Sequence, residues 1–326
     1  MAFGDFELIC SRAAMPLCPL LGGSTANGVI HTGILTQCYA RSIELANTVI
    51  FQVGAGIINI GSYAILGIMI YNIRSKYTAI GRKEISRFFY LYTLLNFMSS
   101  IIDTGVVPVG TRPYPYFVAI HLGITSAVCW SLMINGFSGF QFYEDGTRFS
   151  SALLDLSTLA SFVLTFVISL VTFQSWGGSA MNSTNNTTGL FVVAYLLNAI
   201  FVFIYCASQV FLVIFTLGEL WPLGAIGLGL FFFCVGQVLL YGFSSTICSN
   251  VHHYLDGIFF ATVCNTFAVM MIYKFWDMIT KEDSEFSVST KENPWEVQEY
   301  LEDHDTRYDN GSDYAGSTYN LNSHAF

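Results

Sequence analysis

The sequence predicts an all-α polytopic membrane protein with seven transmembrane helices, its N-terminus lumenal and its C-terminus cytosolic. Three observations predict it. Of the 326 residues 53% are hydrophobic and only 11% are charged, where soluble domains carry about 25% charged residues. Seven apolar segments reach the roughly 20 residues that a helix needs to cross a hydrocarbon core. Basic residues and glycosylation acceptors then fall in loops on opposite sides of those segments.

Residues 1–46 precede the first span. The opening MAFGDFELICSRAAMPLC places Asp5 and Glu7 where the basic region of a signal peptide belongs, and no unbroken apolar run follows, so insertion is expected to rely on the first span. The spans are placed at Asn47–Tyr71, Phe88–Pro108, Tyr114–Gly136, Ser151–Phe173, Leu190–Ile214, Pro222–Phe243 and Leu255–Met278. Helices are expected because runs this long satisfy their own backbone, whereas barrel strands would alternate at period two. The organisation is therefore a lumenal segment 1–46, a transmembrane domain 47–278 and a tail 279–326.

Charge orients the bundle. The first loop, NIRSKYTAIGRKEISR, holds Arg74, Lys76, Arg82, Lys83 and Arg87 against the single acid Glu84, which marks it as cytosolic. Counting spans from there puts SAMNSTNNTTG, after the fourth, in the lumen. That stretch carries N-x-Ser/Thr acceptors at Asn182, Asn185 and Asn186, which are usable only in the lumen.

Cysteine usage follows the same map. Cys129, Cys206, Cys234 and Cys264 fall inside spans, where a thiol acts as a small apolar filler. Cys10, Cys18, Cys38 and Cys248 fall on the lumenal side. In an oxidising compartment they can form two disulfides, with three connectivities open.

After Thr280 eleven acids face Lys281, Lys291 and Arg307, so −8 of the chain's net charge of −9 lies in the tail. This excludes nucleic acid and anionic lipid as partners of the tail and describes a solvated, largely disordered extension. Asn293 and Pro294 could start a short helix with Trp295, Val297, Tyr300 and Leu301 on one face. Asp283-Ser-Glu285 matches the acid-x-acid pattern by which an export coat takes up cargo.

Reactive groups are sparse. Asp103 and His121 fall inside spans, while Asp155, Glu219, Asp256 and Asp277 fall near helix ends, and His252-His253 is an adjacent pair in a lumenal loop. The spans contain no G-x-S-x-G, H-E-x-x-H or phosphate-binding glycine loop. No catalytic site, metal or cofactor is predicted. Asp103 and His121 lie nine positions on either side of Arg112, which predicts similar depth on adjacent helices and a buried polar pair, each partner sparing the other from hydrocarbon. Ala225-x-x-x-Gly229 and the glycines at 54, 56 and 61 offer small faces for close helix packing.

The segments CYARSIELANTVIF, YNIRSKYTAIGRKE, PYFVAI, YEDGT, GLFFF, GQVLLY, HYLDGIFF and YKFWDM, with the opening MAFGDFELIC, resemble the fungal chitin synthase export chaperone family from Met1 to about Phe286. That resemblance implies a multi-pass protein of the endoplasmic reticulum membrane that lets its partner, a chitin synthase, fold and leave for the cell surface, supporting cell-wall chitin. It implies no catalytic residues. A seven-helix receptor is the alternative, followed by a transporter and an intramembrane hydrolase. The last span lacks N-P-x-x-Y and the third lacks D-R-Y, which weighs against the commonest receptors.

Overall fold

A computed structural model of the protein describes residues 4–26, 29–45, 48–77, 79, 81–138, 148–177, 186–217 and 220–289. Met1–Thr280 forms one compact unit and Lys281–Phe326 a second, of which only residues 281–289, helical throughout, are described. The tail features at Asn293–Leu301 lie outside the described residues.

The protein is mostly helical, and six helices are long and apolar enough to cross a membrane: Val53–Ser75, Tyr114–Phe137, Ser151–Gln174, Thr188–Phe215, Trp221–Tyr241 and Gly257–Thr280. A further long helix, Arg82–Asp103, is not among them. The reason lies in its composition. Arg82, Lys83, Glu84 and Arg87 fill its start and Asp103 its end, leaving an uncharged stretch of about 15 residues, or ~22 Å at 1.5 Å per residue, and Asn96, Ser99 and Ser100 lower the hydropathy of that stretch.

The N-terminal segment is not wholly irregular or helical. After α1 (Glu7–Arg12) come two antiparallel hairpins, β1 (Gly23–Ala26) with β2 (Val29–Thr32), and β3 (Ile43–Leu45) with β4 (Thr48–Ile50). Ala26 pairs with Val29, and the sequence between them is Asn27-Gly28, the dipeptide that two-residue hairpin turns favour. Because Thr48–Ile50 is held in β4, the first long helix, α2 (Val53–Ser75), begins six residues later than expected. It is followed by α3 (Arg82–Asp103), α4 (Tyr114–Ser138) and α5 (Arg148–Gln174). The fifth candidate span is a composite: α6 (Thr188–Phe191), a π-helical turn Val192–Leu196, α7 (Leu197–Leu212) and a second π-helical turn Val213–Leu217. Then come α8 (Trp221–Tyr241), the short α9 (Ser244–Asn250) and α10 (Gly257–Ser289).

α4 is the centre. It is 61% buried, against 17 to 33% for the other candidate spans, and it packs on α3, α5 and α7. Many of the buried side chains on α4 and α5 are small, Ala119, Ser126 and Ala127 on one and Thr158, Thr165, Ser169 and Thr172 on the other, and Ser126 and Ser161 share a hydroxyl hydrogen bond of 3.1 Å. A Cβ placed on Gly123 would lie 2.9 Å from the Phe162 ring and 3.2 Å from its carbonyl oxygen. Lipid offers helices no hydrophobic drive to associate, so close backbone approach through small residues supplies the contact. α2 and α3 instead share a polar seam. Asn96 Nδ2 donates to Asn59 O at 3.2 Å and Ser62 Oγ at 2.5 Å, and Tyr63 and Ser100 hydroxyls meet at 2.8 Å.

Charged ties close one end of the bundle. Lys76, just past α2, pairs with Asp277 of α10, reaches Thr280 Oγ1 at 3.4 Å and lies over the Trp276 ring. Arg87 of α3 pairs with Asp155 of α5 at 3.2 Å and donates to Ser151 O at 2.8 Å. Gly123→Leu should force α4 from α5 and cost about 1–3 kcal/mol, read as a lowered thermal midpoint of the detergent-solubilised protein. Gly224→Leu is the control, since nothing lies within 4 Å of a Cβ there. Equal midpoints for the two variants would refute the seam.

Candidate functional site

The end of the bundle opposite the charged ties is closed by the protein's own N-terminal segment. Phe6, Cys10, Ala13, Met15, Leu17, Cys18 and Leu21 are buried against Ile102, Tyr114, Val118, Leu122, Leu190 and Ala194. Leu122 is eight residues past the start of α4, about 12 Å along its axis, so apolar packing continues from the cap into the helices. Polar contacts fix its edges: Tyr114 Oη donates to Pro16 O at 2.7 Å, and Thr187 Oγ1 donates to Gly4 O at 2.7 Å. The Phe6 ring meets Phe191 and Tyr195 edge-on, at 5.7 and 5.5 Å between centroids. Where the cap runs into α2, Phe51 N donates to Thr104 O at 3.1 Å. Gly105, at φ +76°, has no Cβ because one would lie 2.2 Å from the Phe51 ring.

Two disulfides staple the cap. Cys10 is bonded to Cys18, with Cα atoms 5.5 Å apart, and Cys38 to Cys248 in α9, with Cα atoms 6.0 Å apart. This is one of the three connectivities open from the sequence. The first bridge closes a short turn around α1, whereas the second spans 210 residues. His253 sits on the second: its Nδ1 lies 3.2 Å from Cys38 Sγ, 3.7 Å from Cys248 Sγ and 3.1 Å from Tyr39 O. Cys38, Cys248 and His253 thus bring three potential metal-ligand atoms together, but sulfurs bonded to one another are not the thiolates a metal takes. Sequence reasoning missed this grouping; the short spacing from Cys248 to His253 was its only signal.

Of the glycosylation candidates, Asn182 and Asn185 lie outside the described residues. Asn186 is exposed, and its Oδ1 accepts from Thr188 N at 3.2 Å. It stands at the capped end, one residue from the Thr187–Gly4 contact.

The expected Asp103–His121 pair requires correction. Asp103 Oδ2 accepts from Ser99 Oγ at 2.9 Å, and among the described residues no hydrogen bond or ion pair joins it to His121. Counting symmetrically from Arg112 misjudged depth. α3 ends at Asp103, nine residues before Arg112, but α4 begins only two residues after it, so Asp103 is at a helix end and His121 seven residues inside one, about 10 Å deeper. The other acids have local partners. Asp256 Oδ1 caps α10 by accepting from Phe259 N at 3.2 Å, Asp155 pairs with Arg87 and Asp277 with Lys76. Glu219 lies outside the described residues. The groups that an intramembrane hydrolase would have to assemble are thus distributed among separate structural tasks.

The expected small faces divide. Gly54 meets Leu255 and Phe259, Gly56 meets Thr104, and Gly229 meets Met271 and Ala268, whereas Gly61 faces open space. Outward faces of α2 and α8 are apolar and exposed among the described residues, with Ile57, Ile60, Ile68 and Tyr71 on one and Trp221, Leu228 and Phe231 on the other.

Non-reducing peptide mapping should recover Cys10 linked to Cys18 and Cys38 to Cys248, and Cys248→Ala should cost about 2–4 kcal/mol of stability. Recovery of any other pairing would refute this arrangement of the cap.

A family model described as chitin synthase export chaperone matches residues 2–290. Proteins of that name in Aspergillus oryzae and Coccidioides immitis are 56% and 52% identical to this chain, each alignment covering 100% of it and 98% of the relative. The one from Fusarium oxysporum is 56% identical over 94% of this chain and 90% of its own. No solved structure matches. A match across the cap, all the long helices and their connecting loops, at more than half identity and nearly full length, places this chain in the chitin synthase export chaperone family.

Proposed function

We propose that this protein is a membrane-embedded chaperone of the endoplasmic reticulum that allows a chitin synthase to fold and be exported, and so sustains cell-wall chitin. The observation that carries the reading is the family match from residue 2 to residue 290. The geometry supports it through what the bundle leaves open: outward apolar faces on α2 and α8 that suit the transmembrane helices of a client, which in lipid associate through packing and interhelical hydrogen bonds. A receptor keeps a ligand-accessible mouth, whereas here Phe6, Met15 and Leu17 fill it. The role needs no reaction, and the protein is not an enzyme on this reading.

In this reading α3 is the seventh span, shielded by α2 and α4 while its charged start reaches the membrane surface. The N-terminus is lumenal and the C-terminus cytosolic. Support comes from the two ends of the bundle. Arg74, Lys76, Arg82, Lys83 and Arg87 gather at the end where α2 stops and α3 starts, and the four bridged cysteines lie at the other. Positive charge favours the cytosol and disulfides favour the lumen, so both signals orient the bundle the same way. Residues 1–46 then form the lumenal cap, 47–278 the membrane domain and 279–326 an acidic cytosolic tail that offers Asp283-Ser-Glu285 to an export coat. Asn182, Asn185 and Asn186 are the glycan acceptors.

Two experiments test these statements. Endoglycosidase should shift the mobility of the protein, and replacing Asn182, Asn185 and Asn186 together by Gln should abolish the shift; a glycan on an acceptor engineered at Arg82 would overturn the topology. In cells lacking the gene, a fluorescent chitin synthase should accumulate in the endoplasmic reticulum and wall chitin should fall, while an unrelated secretory cargo travels normally. Arrival of every chitin synthase at the surface would refute the function, and arrest of both cargoes would show a general trafficking factor.

A further inference from the structure

The two bridges of the cap have different surroundings. Cys10 and Cys18 are sealed in the apolar cluster at 0% and 1% exposure, and the polar contact to their sulfurs is a carbonyl, Ala13 O, 3.7 Å from Cys18 Sγ. Cys38–Cys248 lies at the edge of the cap, beneath an exposed imidazole. Tyr39 O, 3.1 Å from His253 Nδ1, is a carbonyl and can only accept, so Nδ1 carries the proton and Nε2 is the basic nitrogen of this exposed residue. One N–H is therefore shared among a carbonyl oxygen and both sulfurs of the bridge. The backbone that holds it there has positive φ at both His252 and His253, 52° and 68°, a region uncommon outside glycine but one that asparagine, aspartate and histidine enter more readily than most residues. The His253 position is also fixed from both sides, since His253 N donates to Cys248 O at 3.0 Å and Arg41 N donates to His253 O at 2.7 Å.

We propose that Cys38–Cys248 is a thiol–disulfide exchange site, opened by a lumenal thiol with assistance from His253, and that Cys10–Cys18 is structural only. Cys38 retains 6% exposure and Cys248 none, so the incoming thiolate attacks Cys38 Sγ. The S–S bond breaks, a mixed disulfide forms on Cys38, and Cys248 leaves as a thiolate carrying the electron pair. Its charge is met by the Nδ1–H of His253, and protonation of Nε2 turns that contact into an imidazolium–thiolate pair. A second thiolate attacks the mixed disulfide on the sulfur it does not share with Cys38. It departs as the oxidised small disulfide and leaves Cys38 as a thiolate, so two thiols are oxidised for one bridge reduced. A donor that stabilises the leaving thiolate makes a disulfide both faster to open and more oxidising. Opening this bridge removes the covalent tie between the segment bearing β3 and β4 and α9.

The lumenal placement rests on the proposed topology, but the chemistry is testable apart from it. Full-length protein in mild detergent is equilibrated with reduced and oxidised glutathione at graded ratios, quenched by alkylation and mapped. Cys38–Cys248 should be half reduced at a reduced-glutathione ratio at least tenfold lower than Cys10–Cys18. His253→Asn tolerates the left-handed backbone while removing the imidazole, and should slow opening of Cys38–Cys248 about tenfold without changing Cys10–Cys18. His252→Asn, a neighbour with no contact to the sulfurs, should match the wild type. Equal poise for the two bridges in the wild type would overturn the proposal, as would wild-type exchange in a folded His253→Asn protein.

Discussion

The close approach of α4 and α5 is the constraint on which the remaining structure depends. In hydrocarbon, every helix already satisfies its own backbone, and apolar side chains gain nothing by leaving lipid for protein. What organises a bundle is contact made at short range. Gly123, Ala119 and Ala127 remove bulk from one side, and the hydroxyl residues Thr158, Thr165 and Ser169 fill the other with small polar groups. With that seam set, α4 is enclosed and its remaining faces are assigned: α3 on one flank and α7 on another, where Gln209 Nε2 donates to Gly136 O at 2.9 Å. The cap then has a fixed floor, since Tyr114, Val118 and Leu122 all project from the start of the same helix.

Polar residues inside this bundle hold helices in register. Asn96 ties α3 to the preceding α2, Gln209 ties α7 to α4, and Lys76, just past α2, ties it to α10. A buried amide without such a partner is costly in lipid, so each bond excludes alternative rotations of the helix that bears it. This is the reverse of an active site, where polar groups converge on one volume. Here they are dispersed along separate interfaces, which accords with a family named for what it escorts.

Much of the architecture was legible because membrane insertion writes a coarse signal. Long apolar runs, a basic loop and the grouping of cysteines are each properties of whole segments, and a long helix overlies each expected segment, with ends that differ by up to six residues except at the C-terminus of α10, which runs eleven residues further. α3 is the instructive exception: the span expected at Phe88–Pro108 is a helix at Arg82–Asp103, because Arg82, Lys83 and Arg87 continue it outward at one end and Asp103 closes it at the other, so its length and its apolar length differ. The β3–β4 hairpin was hidden because the first span was expected to start at Asn47, inside it, whereas Asn27-Gly28 was a legible signal for β1–β2. The Asp103–His121 pairing failed because it assumed that a turn is symmetric about its midpoint, and a two-residue approach to α4 against a nine-residue departure from α3 breaks that assumption. The partner of Cys38 and the contact it makes with His253 were beyond reach for a different reason. Contacts over 210 residues depend on how the whole bundle packs, and nothing local to Cys38 encodes them.

The Cys38–Cys248 bridge has a topological consequence. Through it the polypeptide becomes a covalent ring that passes through α2, α3, α4, α5, α7 and α8 before closing, with α10 attached outside it. A cut anywhere on that ring leaves a single molecule rather than two fragments. Lateral drift of any enclosed helix away from its neighbours is limited by the contour of the ring and not only by the strength of its packing. If the exposed apolar faces take up a client's helices as proposed, this protein's own helices are open to exchange with them, and a closed ring resists that exchange.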